Sequence, residues 1–280
     1  MNEKKLVIYK SNNLVESAYK LTLNEQKVLL ACIGQINSND PLTISDKFEL
    51  SAKDFAVMFD VDEKSAYEKL IEVAENLYKR ELIIERPDNE TDKLKTRWIS
   101  SIRYQSKAGK VVLRFAQDLL PYLSELKNQF TRYDLADISG MTSIYGIRLY
   151  ELLMQWQSTG KRDISIEWLK QIFEIENSYD SIKDLKVRVI EPAVANVNQH
   201  SNISVTHTYK KTGRNVTHIL FQFKLKLVKK PQKLSKPKLE PVKVTIDNLD
   251  YFEDVRKKYG DKAPISADIE AELKRLGRWK

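Results

Sequence analysis

The chain has 280 residues, with 47 lysines and arginines against 39 aspartates and glutamates and a formal charge of +8. At 42% apolar and 31% charged residues it holds enough hydrocarbon for real cores, and its length fits two ordinary domains. A lone Cys32 excludes an intrachain disulfide framework and a multi-cysteine zinc site. The longest clean apolar run, residues 28–33, is far short of the ~20 residues of a membrane helix, and residues 1–5 lead into no signal-peptide segment. A soluble, cytoplasmic protein is expected.

Along the chain, Thr22-Leu23-Asn24-Glu25 is a capping-box start. Val28, Leu29, Cys32, Ile33 and Ile36 follow at helical spacing and predict a helix to about Gln35. Ser51 to Asp54 opens a shorter helix with Ala52, Phe55, Ala56 and Phe59 on one side. Asp62 starts a long helix that buries Ala66, Leu70, Val73, Ala74 and Leu77. Residues 82–84 are strand-like, 86–90 read as a loop, and strands over 98–104 and 111–115 turn at Lys107-Ala108-Gly109.

The same order then recurs. A helix over 142–157 points Tyr145, Leu149, Leu152, Leu153 and Trp156 inward. A short strand around Ile164 leads to a helix with Trp168, Leu169, Ile172 and Phe173 apolar. A third helix from Asp180 buries Ile182, Leu185, Val189, Ala193 and Val197, with a bend expected at Pro192. Strands over 203–209 and 216–225 close the unit, joined through Lys210, Lys211 and Arg214. Leu50 aligns with Ile164, Phe55 with Leu169, Phe59 with Phe173, Leu70 with Leu185 and Ala74 with Val189, an offset of 114 to 115 that predicts duplication of a whole domain. Three helices followed by a β-hairpin is the winged-helix arrangement. The expected fold is therefore α+β, two tandem winged-helix domains over 1–128 and 129–228. Residues 229–280 are expected to form a basic linker and a flexible tail.

The charge is unevenly placed. Residues 229–280 carry +5 and residues 1–228 only +3. Residues 93–114 hold seven basic and no acidic residues, among them Lys93, Lys95, Arg97, Lys107 and Lys110. Residues 192–239 hold ten, among them Lys210, Lys211 and Arg214. A charge run alone is ordinary solvated surface, but long single-sign stretches are unusual, and both fall over the expected wings. These eight named residues are the candidate phosphate contacts. The first long helix is crowded by Asp62, Glu63, Glu68, Glu72 and Glu75, which phosphates repel, so it is expected to read bases poorly. On the second, Asp180, Lys183, Asp184 and Val187 point outward, with Lys186 and Arg188 on the flanks. Arginine and lysine pair with guanine in the major groove, so the second unit is expected to be the main reader.

Three motifs add a resemblance: residues 10–14 with 21–27, Arg148-Leu149-Tyr150-Glu151-Leu152-Leu153, and Val187-Arg188-Val189-Ile190-Glu191-Pro192-Ala193 followed by Asn196-Val197-Asn198. Over about residues 5–228 the chain resembles the initiator Rep (RepB-type) proteins of theta-replicating iteron plasmids, closest to those of small Acinetobacter-like plasmids and related small circular DNAs. The resemblance implies binding as a monomer to origin direct repeats (iterons), opening of an AT-rich segment, and recruitment of host DnaA and the replicative helicase. It also implies a homodimer, paired through the first domain, that represses its own gene at an inverted repeat. Carried over by position, base readout falls on Ser181, Lys183, Lys186 and Arg188, and phosphate contacts on the wings. Two modules on one face would sit about one helical turn, roughly 34–36 Å, apart on double-stranded DNA.

No catalytic residue, cofactor or metal site is expected. His200, His207 and His218 lack the spacing of a paired-histidine nicking motif, although His207 and His218 could face each other across the wing. No glycine-rich P-loop occurs. A winged-helix transcriptional repressor shares every DNA-binding feature. A DNA-nicking initiator is the enzymatic alternative.

Overall fold

In the first half, apolar alternation and two capping motifs set the framework. The computed structural model describes residues 6–37, 40–59, 62–85, 92–126 and 128–226, together with residue 275. Strand β1 (Val7–Ser11) leads into the single turn α1 (Asn12–Val15). Helix α2 (Leu23–Ile33) begins at the expected capping box: Thr22 Oγ1 accepts from the Glu25 N–H, and Glu25 Oε2 accepts from the Thr22 N–H at 2.8 Å. β2 (Phe48–Ser51) and α3 (Ala52–Phe59) follow, Ser51 Oγ accepting from the Asp54 N–H at 3.0 Å. Helix α4 (Glu63–Lys79) buries Ala66, Leu70, Val73, Ala74 and Leu77, the face its 3.6-residue spacing predicts. β3 (Glu81–Glu85) pairs antiparallel with β4 (Lys93–Arg97). β5 (Ile99–Gln105) and β6 (Lys110–Phe115) form the first wing, turned at Gly109 in the left-handed region, φ +58°. β7 (Phe130–Asp134) returns to pair with β1.

The second half repeats the plan. Helix α5 (Ile144–Met154) is capped by Ser143 and α6 (Ile166–Ile172) by Ser165, with β8 (Lys161–Ser165) between them. The third helix is continuous but composite. It runs as α7 (Ile182–Leu185), a π turn (Lys186–Ile190) and α8 (Glu191–His200). β9 (Ile203–Thr212) and β10 (Asn215–Leu225) form the second wing.

Sheet topology carries the duplication. The strand orders are β2-β6-β5 in one unit and β8-β10-β9 in the other, each antiparallel, with the strand before the second helix paired to the last wing strand. The aligned pairs Leu50/Ile164, Phe55/Leu169, Leu70/Leu185 and Ala74/Val189 are all buried. The two domains are winged helices, as expected. The first differs by its extra β3–β4 hairpin between helix and wing.

The units share one contiguous apolar core, and polar side chains stitch it across the sequence. Lys10 on β1 and Glu151 on α5, both fully buried, form an ion pair at 2.7 Å, and Tyr133 on β7 donates to the same carboxylate oxygen at 2.5 Å. Arg148 donates to the carbonyls of Val15 (3.1 Å), Ser17 (2.7 Å) and Ile172 (3.2 Å) and covers the Tyr19 ring at 3.8 Å. Arg162 meets Glu16 at 2.6 Å. Helices α5 and α8 approach so closely at Gly146, in the first turn of α5, that a Cβ there would stand 2.7 Å from Asn196 Oδ1 and 3.2 Å from its Cβ, so a larger residue would displace Asn196.

Four expectations are corrected. Trp156 is 46% exposed, because α5 ends at Met154 and the chain turns before it. Lys93, Lys95 and Arg97 belong to β4 of the extra hairpin, not to the wing. Lys210 and Lys211 lie within β9, so only Gly213 and Arg214 form the loop, with Gly213 at φ +62°. His207 stands opposite Phe221 and His218 opposite Lys210, so the two histidines do not face each other. The loop over 86–90 and the linker and tail over 229–280, residue 275 apart, lie outside the described residues.

Candidate nucleic-acid interface

The second unit presents its third helix with one apolar and one polar side. Leu185, Val189, Ile190, Ala193, Val194 and Val197 are buried. Lys183, Asp184, Val187, Arg188 and Glu191 are exposed. Ser181 caps the helix, its Oγ accepting from the Lys183 N–H at 3.2 Å while its own proton stays available. Pro192 cannot donate to the carbonyl four residues back. The helix widens just before it. The Glu191 N–H bonds to the Lys186 carbonyl five residues back, closing the π turn.

Lys186 is half-buried, with its Nζ 3.7 Å from the centre of the Tyr209 ring on β9. Burial and the Glu191 carboxylate push the Tyr209 phenol up to about 12, so the ring stays neutral and offers its π face to the ammonium. This contact ties the helix to the wing. Sequence reasoning missed it, although an aromatic residue on the strand after a basic helix was its signal.

On the second wing, Lys210 pairs with Asp163 at 2.6 Å. Lys211 and Arg214 are exposed at and beside the tip. Among the described residues, Lys183, Arg188, Lys211 and Arg214 enter no ion pair.

The first unit is different. Its basic run is acid-free in sequence but not in space. Lys93 pairs with Glu85 at 3.1 Å and Lys95 with Glu81 at 2.7 Å across the β3–β4 hairpin. Lys110 pairs with Glu49 at 3.0 Å on the neighbouring strand, and Arg97 covers the Tyr78 ring at 5.7 Å. Lys107 stands exposed in the wing turn. On α4, Glu63, Glu68, Glu72 and Glu75 are exposed together. Strand neighbours can supply the acid that a sequence window lacks, which is why the run overstated the local field. Exposed pairs of this kind are worth about 0–1 kcal/mol, so they part easily for a phosphate.

The described residues contain no group of three or more histidine, cysteine, aspartate or glutamate side chains arranged to hold a metal ion. Among them, no helix is long and apolar enough to cross a membrane.

Comparison with known proteins agrees with this architecture. Residues 7–154 match the family model "Initiator Replication protein, WH1", and residues 165–223 match "Initiator Rep protein, WH2". An Escherichia coli "Replication initiation protein" is 28% identical over 227 residues, covering 79% of this chain and 70% of the relative. The Escherichia coli "PI protein" is 25% identical over 253 residues, covering 79% and 83%. The crystal structure of a Pi initiator protein in complex with iteron DNA superposes with a TM-score of 0.68 at 24% identity, covering 80% of this chain and 99% of that one, a likeness of fold. With both winged helices matched in order over most of the described residues, the chain belongs to the initiator replication protein family.

Proposed function

We propose that this chain is a sequence-specific DNA-binding plasmid replication initiator that binds directly repeated origin sequences. The carrying observation is the outward face of the second unit's third helix, where Lys183 and Arg188 stand exposed without an ion pair beside a basic wing tip. A helix of this diameter fits the major groove, and the wing reaches the flanking backbone. In this reading Ser181, Lys183, Lys186 and Arg188 address base edges. Lys210, Lys211 and Arg214 meet phosphates, as do Lys93, Lys95, Arg97, Lys107 and Lys110 of the first unit. Residues 1–128 clamp backbone and pair two copies, and residues 129–228 read sequence. As a monomer the chain opens the origin and brings in host DnaA and the helicase. As a dimer it represses its own gene at an inverted repeat. The relatives' names and the iteron complex of the Pi protein support this assignment.

The test is footprinting of the purified full chain on the DNA flanking its own gene. Protection of direct repeats at a constant spacing is expected. Protection of a lone palindrome would instead make it a repressor, and metal-dependent nicking of supercoiled origin DNA would make it an enzyme.

A further inference from the structure

One side chain on the reading face has no polar atom. Val187 is 54% exposed, between Lys183 one turn before it and Arg188 beside it, and it lies within the π turn. Every other residue from Lys186 to Glu191 is either buried or carries a charge. If this face enters the major groove, Val187 is placed to meet a base edge. There it displaces water from whatever the edge presents. A guanine, cytosine or adenine edge would lose hydrogen bonds that valine cannot replace. The one methyl group in the major groove is the 5-methyl of thymine.

We propose that Val187 is a specificity-determining residue that selects a thymine through its 5-methyl group, between bases addressed by Lys183 and Arg188. The proposal rests on the DNA-reading assignment above and deepens it. Val187 is not one of the buried core residues, so its truncation to alanine leaves the core packing in place.

The experiment uses the full chain and a duplex selected by it from a randomised pool. Each thymine of that duplex is replaced singly by uracil, which deletes only the methyl, and affinity is measured at one salt concentration. The wild-type protein is expected to lose about fourfold at one thymine, the value of one buried methyl group. Val187→Ala is expected to lose less than twofold at that same thymine while keeping the wild-type profile elsewhere. Val187→Ala should also recover a relaxed base choice there in a repeat selection. Identical uracil profiles for the two proteins, or no methyl-dependent thymine in the wild type, would overturn the role of Val187. In that case a site whose selected bases still change with Lys183→Ala or Arg188→Ala leaves the DNA-reading assignment standing. Failure of the wild type to select any sequence sinks that assignment itself.

Discussion

Arg188 is exposed on the helix flank and enters no ion pair among the described residues, so its guanidinium is free to address a guanine edge. Arg188→Ala is therefore expected to weaken binding to origin repeats by roughly tenfold or more, the range of one bidentate base contact, and binding to random DNA much less. Equal losses on both would make it a phosphate contact. A second residue-scale expectation concerns pH. Burial holds the His207 imidazole below its ordinary value, Lys186 adding to the effect and Glu191 opposing it. The folded form thus resists protonation more than the unfolded chain. No stability is lost above the unfolded value of about 6.5, and stability declines as pH falls through it toward the folded value. Urea midpoints of His207→Gln should fall less steeply than wild type between pH 7 and pH 5, and parallel curves would remove His207 from the acid response.

At the scale of elements, helices and wings were legible because their signals are local: the capping box at Thr22, apolar spacing along α4 and α5, glycines at both wing turns. The repeat was legible because it is a comparison of the chain with itself. The β1–β7 pairing was not, since its strands lie more than a hundred residues apart and each is short. Nor was the β3–β4 hairpin, whose acidic strand neutralises what reads as an isolated basic run. The candidate reading helix was placed correctly by its buried face, but its π turn depends on a backbone bond that no side-chain pattern announces. The wing itself makes a prediction. Lys211 and Arg214 carry free charge, whereas Lys210 is shared with Asp163. Replacing Lys211 and Arg214 by alanine should reduce the slope of log affinity against log salt by about two, at roughly 0.9 per lost phosphate contact. An unchanged slope would take the wing out of the interface.

At the scale of the whole molecule, the two winged helices share one apolar core, and a charge pair is buried between them. Glu151 sits inside the apolar run Leu149-Tyr150-Glu151-Leu152-Leu153, and a carboxylate there requires a partner from elsewhere in the chain. Lys10 supplies it with Tyr133, and the other carboxylate oxygen, Oε2, finds no hydrogen-bond partner among the described residues. Such a pair contributes little net stability against an apolar substitute, but breaking one side leaves a desolvated charge. Lys10→Met is therefore expected to cost about 3–5 kcal/mol in urea unfolding. Adding Glu151→Gln should return most of that loss, because the glutamine oxygen still accepts from Tyr133 and no net charge remains. A coupled pair of probes tests whether the contact also unites the halves. Burial pushes the Cys32 thiol up to about 12, so alkylation reports opening of the first unit alone, while far-UV circular dichroism reports both. The two curves should coincide in the wild type, as one cooperative core requires. In Lys10→Met both transitions should move to lower urea, and the thiol and dichroism curves should no longer superpose. Coincident curves in the variant would assign the coupling to Arg148 and the shared apolar core instead.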